Sequence, residues 1–300
     1  MKILIRVTII TLISISCSSD TRDKDQTPSR LRILTHNVWY GFTEAPERKK
    51  PWLAWMKDQD PDIVSLQELN EYTPQMLAED ARSYGHAYSV LLKQEGFPTG
   101  ITSRYPIEDI KKVTEGFHHG LIRVRIQQVY YYVVHLHPSN WEFRNAEINK
   151  ILQDIKNLPP GAEVILAGDF NTFSPVDSVY YSHNRLETFF KNRDVQFNEK
   201  NLNNGALDYS VILKVLDFGL IDLEGSLRKP SYEFSGSFPT LVEKEGEHGD
   251  QRRLDYIFAS KNLSDKVKRA EIIVNDTTLH LSDHLPVIAE FLTNSPRTGE

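Results

Sequence analysis

Apolar residues recur along this chain in short runs, several of them β-branched and apolar on both faces. Leu31–Thr35, Asp62–Leu66, Tyr88–Leu92, Leu121–Ile126, Tyr130–Leu136, Val164–Ala167, Leu254–Ala259, Glu271–Val274 and Val287–Leu292 read as strands. Strands apolar on both faces belong in the middle of a layered domain. Helical stretches lie between them. Pro51 suits a first helical turn and leads into WLAWMKDQ. Thr73 can cap a helix over Pro74–Tyr84. Trp141–Asn157 is long and amphipathic, and Pro159-Pro160-Gly161 stops it. Strands and helices mix without a strict βαβ rhythm, which predicts an α/β fold of two packed sheets flanked by helices. Asn171 to Asp250 is the least regular span, with Asn201–Gly205 (NLNNG) and Ser235–Pro239 (SGSFP) inside it. Loops and short helices are expected there, and such loops usually set specificity.

The chain has 300 residues, 40% hydrophobic and 25% charged, a globular composition that needs no more than one domain of this kind. Its net charge of −6 disfavours tight, processive binding of nucleic acid. It does not exclude a nuclease, because metal-binding carboxylates add negative charge of their own. The single cysteine, Cys17, rules out an intrachain disulfide.

Position matters more than number for that cysteine. Lys2 and Arg6 precede an apolar run, Val7 to Ile15, followed by small residues, as in a secretory signal peptide. The run is too short for a permanent membrane span, which needs ~20 apolar residues. Cys17 directly after Ser16 resembles a bacterial lipobox, in which the cysteine is acylated, with Ser14 where a Leu is preferred. An ordinary signal peptide containing a cysteine is the other reading. The division expected is a signal peptide over 1–16, a lipidated Cys17 with a polar tether over 17–30, a folded domain over 31–293 and a tail over 294–300. It carries the expectation of a monomer exported to the cell envelope and held at the membrane by its lipid.

Polar residues close the strands again and again. Asn37 follows LRILTH, Glu68 follows IVSLQ, and His135 and His137 end YYVVHLH. Asp169 and Asn171 end VILAGDFN, Asp255 sits in RRLDYIF, and Asp283 and His284 precede LPVIAEF. One Asn or Asp after a strand is ordinarily a turn residue or a helix cap. Six such clusters can converge on one rim if the strands lie side by side. The set would hold several oxygen ligands and two or more imidazoles without cysteine, which suits Mg²⁺, or Mn²⁺, better than Zn²⁺. Carboxylate-held Mg²⁺ most often serves phosphate chemistry.

The segments HNVW, PDIVSLQE, GITSRYPI, VVHLHPS, GDFN, RRLDYIF and SDHLPV resemble, in order, the motifs of the endonuclease/exonuclease/phosphatase superfamily. The resemblance covers about Leu31 to Leu292 and implies a four-layer α/β/β/α, DNase I-like sandwich. It implies these roles. Glu68 is the main metal ligand, Asn37 the amide that orients it or a metal-bound water, and Asp283 a second metal-side carboxylate. Asp169 positions or deprotonates the attacking water. Asn171 donates to a phosphate oxygen, and His284 donates from the side opposite the metal. Asp255 fixes the tautomer of His284. His135 and His137 lie two apart on an expected strand and so share a face. His135-Leu136 fits the family's Thr-His-Leu triplet, with Val134 for Thr, and is preferred; a Leu-His-Ser alignment selects His137. Trp39 stands where DNA-repair members carry an acid, which speaks against a specific apurinic endonuclease. Arg104 and Arg253 are read either as phosphate contacts or as structural pairs. His118 and His119 are given no role.

A Mg²⁺-dependent phosphoester hydrolase of the phosphodiesterase or nuclease type is therefore expected. The alternatives are a sphingomyelinase-like phospholipase C, a sugar or inositol phosphate phosphatase, and a catalytically inactive binding protein of the same fold.

Overall fold

A computed structural model describes residues 29–293, apart from 182, 184, 229–235 and 245–246. The expected signal peptide over 1–16, Cys17 and the tail 294–300 lie outside the described residues. The strands, in chain order, are β1 (Ser29–Asn37), β2 (Ile63–Gln67), β3 (Tyr88–Leu91), β4 (Gly100–Ser103), β5 (Glu108–Val113), β6 (Leu121–Ile126), β7 (Val129–His135), β8 (Glu163–Asp169), β9 (Leu202–Asn203), β10 (Ala206–Leu207), β11 (Ile221–Asp222), β12 (Asp255–Ala259), β13 (Val267–Ile272) and β14 (Val287–Thr293). The α-helices are α1 (Lys49–Gln59), α2 (Pro74–Ser83), α3 (Trp141–Lys156), α4 (Arg185–Phe197), α5 (Ser210–Asp217), α6 (Leu223–Leu227) and α7 (Lys261–Ser264).

Two six-stranded sheets form, in the orders β13-β14-β1-β2-β4-β3 and β11-β12-β8-β7-β6-β5. Alternation along the strands fills three layers of core. Leu31, Ile33 and Ile63 of the first sheet meet Tyr131, Val133, Ile165 and Ile257 of the second in one buried cluster. The opposite faces pack on helices. Leu34, Val64 and Ile288 lie under Trp52, Trp55, Met56 and Leu77 of α1 and α2. Tyr132, Val134 and Leu166 lie under Ile148, Ile151, Val211 and Val215 of α3 and α5. This is the α/β/β/α sandwich expected. Side-chain caps start three of the helices: Thr73 accepts from Met76 N (3.2 Å), Asn140 from Phe143 N (3.1 Å) and Asp222 from Gly225 N (3.1 Å).

The sequence reading departs from the structure mainly at sheet edges. β5 was not expected, and β13 starts at Val267 rather than Glu271. Both are outer strands with exposed, charged sequences, EDIKKV and VKRAEI, so the apolar alternation that marks a strand is absent. β4 was missed because GITS is short and begins with glycine. β1 starts at Ser29, two residues into the expected tether, and pairs there with the end of β14. Within 171–250 the irregularity holds except for α4, whose 13 residues exceed a short helix; only Leu186 and Phe190 of it are buried, too few for a legible stripe. Among the described residues no helix is long and apolar enough to cross a membrane.

Candidate active site

The core-facing parity of the central strands delivers the polar residues to one place. On β7, Tyr131 and Val133 face the other sheet, and His135 continues that face. On β8, Ile165 and Ala167 lead in the same way to Asp169; on β12, Ile257 shares its face with Asp255. Register aligns the three: His135 is opposite Asp169 in the parallel β7–β8 pair, and Asp255 is opposite Asp169 in the antiparallel β8–β12 pair. From the first sheet, Ile33 leads to Asn37 at the end of β1, and Glu68 follows β2. Antiparallel β14 starts beside the end of β1, with Val287 opposite Thr35, and so brings Asp283 and His284. The site therefore occupies the end of the inter-sheet seam, where hydrophobic filling gives way to polar side chains.

Asn37 ties the sheets together there. Its Nδ2 donates to Glu68 Oε1 (3.1 Å) and to Asp169 Oδ2 (3.1 Å), while its Oδ1 accepts from Trp39 N (3.1 Å). The amide is thus spent on orienting two carboxylates and is placed to position Glu68 rather than to ligate. Asp169 Oδ2 also lies 3.5 Å from His135 Nε2 and 3.7 Å from His284 Nε2. Asp169 Oδ1 accepts from Asn171 N (2.8 Å), and the Asn171 amide donates to Leu136 O (3.0 Å). His284 Nδ1 is 2.7 Å from Asp255 Oδ2, so Nδ1 carries the proton and Nε2 faces Asp169. Ser282 Oγ donates to Asn37 O (2.7 Å), and Ser237 Oγ accepts from Leu254 N and Asp255 N, fixing both loops.

Backbone strain collects at the same place. Glu68 (φ 59°), Asn171 (φ 49°) and the run Trp39, Tyr40, Gly41, Phe42 (φ 52–64°) are left-handed. That run turns Tyr40 N toward Glu68 Oε2 (3.0 Å). Gly168, at φ 142°, passes so close to β7 that a Cβ would sit 2.0 Å from Val134 O.

Burial and crowding set the charges. Burial, reinforced by Asp255, pushes the Asp169 carboxyl up to about 7. Burial, with Glu68 and Glu243, pushes Asp283 up to about 8. Burial alone would lower His284, but Asp255, Asp283 and Asp169 outweigh it and hold the imidazole at about 10, charged at neutral pH. His135 goes the other way: burial and three neighbouring imidazoles keep it well below its ordinary value, hence neutral.

A cleft of about 520 Å³ opens over these groups, with Glu68, His135, Asp169, Asn171, Asp283 and His284 in its lining. Its oxygen-rich donor set fits a hard divalent cation. Glu68, Asp169 and Asp283 bring three carboxylates together with only His284 as a countercharge, and burial makes Asp169 and Asp283 resist ionisation. Ligand atoms of Asp169, Asp255 and His284 also lie within 4.8 Å of one another. Asp255 is hydrogen-bonded to His284, however, which makes that trio an oriented acid–imidazolium group rather than the better cation seat.

All eight residues read from the sequence meet at or beside the cleft. His137 does not share the face of His135: β7 ends at His135, and the chain turns away. His137 packs on His118 (ring centroids 4.0 Å apart) and Phe143, with its N–H on Glu147. Arg253 is fully buried against Asp177 (2.8 Å), Asp222 (2.6 Å) and Glu224 (2.9 Å), and Arg104 pairs with Asp60 and Asp62; both are structural. Trp39 lines the cleft with its ring under Arg48. His118 and His119, passed over in the sequence, line the cleft too, His119 stacked on His135 at 4.0 Å. The only signal was their place just before β6, which pairs with β7. His36 is a core residue: it accepts from Trp52 Nε1 (3.0 Å) and donates to His284 O (3.1 Å).

The fold that carries this cleft is shared with known proteins. An AP endonuclease from Archaeoglobus fulgidus superposes with a TM-score of 0.63 at 18% identity, covering 87% of this chain and 99% of the other. The 3′-5′ exonuclease NExo from Neisseria meningitidis gives a TM-score of 0.63 at 18% identity, with the same coverage of 87% and 99%. Humanized TDP2 of D. rerio gives 0.59 at 20% identity, covering 88% and 99%. At these identities the likeness is one of fold. The profile of the Endonuclease/Exonuclease/phosphatase family matches residues 34–284, from the end of β1 through His284, and the chain belongs to that family.

Proposed function

We propose that this protein is a divalent-metal-dependent hydrolase of phosphoester bonds, of the phosphodiesterase or nuclease type. One observation carries the reading: Asp169, from one sheet, lies within 3.1–3.7 Å of Asn37, His135 and His284, with Glu68 on the same Asn37 amide. Glu68 and Asp283 would hold Mg²⁺, or Mn²⁺, and when bound the cation supplies Lewis-acid charge to a phosphate oxygen. Asp169, poised near 7, accepts the proton of the attacking water. The water oxygen bonds to phosphorus as the ester oxygen leaves from the opposite side. His284, charged and aligned by Asp255, donates through Nε2 to the phosphate as negative charge builds. Neutral His135 donates beside it, and the second Asn171 amide hydrogen is available to another phosphate oxygen.

Two structural neighbours, an AP endonuclease and a 3′ phosphatase bound to a product DNA hairpin, support a phosphoester substrate. The cleft itself carries Glu199 and Glu243 on its walls and the chain is acidic, which favours a small diester over a long polyanion. The purified protein should cleave bis-p-nitrophenyl phosphate with Mg²⁺, stop in EDTA and recover with added Mg²⁺. A panel of plasmid DNA, RNA, sphingomyelin and sugar phosphates then selects the substrate. No turnover of any of them would leave a binding protein of the same fold.

The location is likewise proposed as the cell envelope, on the strength of Lys2, Arg6, the Val7–Ile15 run and Cys17. Labelled fatty acid should enter the wild type and not Cys17→Ala; an unlabelled wild type ends that reading.

A further inference from the structure

Two arginines beside the cleft are buried without an acidic partner among the described residues. Arg144 is 1% exposed and Arg252 6% exposed. The one other buried arginine among the described residues, Arg253, has three carboxylates in contact. Arg144 Nη1 donates only to the carbonyls of His137 (3.0 Å) and Pro138 (3.2 Å). Arg252 Nη1 donates only to those of His248 (2.7 Å) and Asp250 (3.1 Å). The Nε of each is buried with no hydrogen-bond partner. Neither forms an ion pair among the described residues, because the carboxylates nearby are engaged elsewhere. Asp208, the strongest attraction on Arg144, is held by Ser210 and Asn203, Asp194 by Asn201 and the N–H of Leu202, Glu147 by the N–H groups of His118 and His137, and Asp250 near Arg252 by Arg185.

Both arginines line one small chamber of about 40 Å³, together with Asn171 and Asn201. The chamber shares Asn171, Asn201, Phe190 and Arg252 with the main cleft and so opens beside the catalytic groups. On the measure by which one water needs about 10–15 Å³, it takes a group of three or four heavy atoms. Arg252 gains some compensation from Phe238, 4.6 Å below its guanidinium carbon, and Phe190 at 5.2 Å. That does not replace an anion for two like charges, since a buried unpaired charge costs several kcal/mol. Burial pulls both guanidinium groups down to about 10, further than the surrounding carboxylates raise them.

We propose that this chamber is an anion subsite, which takes a second acidic group of the phosphoester substrate between Arg144 and Arg252, a carboxylate or the outer oxygens of a phosphate. Guanidinium groups suit either, through paired N–H donors. The site thereby selects phosphoesters that carry another anion over those that do not, which deepens the hydrolase reading and rests on it.

The test has a binding arm and a kinetic arm. With the protein in EDTA at constant ionic strength, millimolar acetate or sulfate should raise the melting temperature of the wild type; the stronger of the two tells a planar carboxylate from a tetrahedral oxyanion. Arg252→Met keeps the packing on the phenylalanines and should melt no lower than wild type without anion, yet lose the anion response. In Mg²⁺, the wild type should favour a p-nitrophenyl phosphate diester with a carboxyethyl second substituent over the ethyl one. That kcat/KM ratio should fall at least tenfold in Arg252→Met and partly return in Arg252→Lys. An anion response that survives in Arg252→Met, or a wild type without response or preference, overturns the subsite. Should Arg252→Met fail to fold, the wild-type titration and preference decide alone. If neither diester is cleaved, the hydrolase reading fails, and the titration still decides the subsite.

Discussion

Asp169 and His284 face each other at 3.7 Å with their titrations displaced in the same direction, and that displacement divides the labour between base and charged donor. Removing either, as Asp169→Asn or His284→Gln, should lower kcat by about 10²–10⁴ with folding intact, measured on bis-p-nitrophenyl phosphate and by circular dichroism. Asp255 acts through His284. Its carboxylate leads the groups that raise His284, so the imidazolium is present below about 10 and is lost as pH rises through that value. Asp255→Asn should move the alkaline limb of the rate profile downward in pH. A limb that stays in place would assign it to another group. His135→Ala should cost 10² or more by the same measure, whereas His137→Ala, turned onto Phe143, should stay within a few-fold.

At the scale of elements, two strands and one ion cluster hold the site. β7 and β8 set His135 beside Asp169, and they approach closely only because residue 168 has no side chain. Gly168→Ala combines a positive φ with a collision on Val134 O and should destabilise by about 3 kcal/mol or more, read from urea midpoints. Arg253 precedes β12 and gathers Asp177, Asp222 and Glu224 at 0–5% side-chain exposure. Arg253→Met strands those carboxylates and should cost about 3–5 kcal/mol. A loss of activity at full stability would instead mean that Arg253 reaches substrate.

Over the whole molecule, buried neutral histidines tie stability to pH. His86 donates to Pro61 O (2.9 Å) through Nε2, and its Nδ1 lies 2.9 Å from the Thr102 hydroxyl, which satisfies the neutral ring. Burial is the main cause lowering it to about 4, and His36 falls to about 4 for the same reason. A depressed folded value means that this stability is complete above 6.5 and is lost as pH falls toward 4. The shift of His86 is worth about 3 kcal/mol. His86→Gln should be less stable than wild type at pH 7 but lose less between pH 7 and 4.5. Parallel losses in the two proteins would contradict the linkage.

The local pattern of the chain determined the central strands, the capped helices and the residues that end them, because alternation, capping and strand-end polarity are properties of neighbouring residues. Asn37, Glu68, His135, Asp169 and His284 were legible as candidates for that reason. The charged outer strands β5 and β13 were not, since an edge strand has little apolar surface to bury. Only the packed sheets decided that β7 ends at His135 and sends His137 away. Only they put His119 against His135 and left Arg144 and Arg252 without an ion pair among the described residues, although the same chain supplies three for Arg253. Burial, register and the pairing of distant charges arise between segments far apart in sequence, and no local pattern records them.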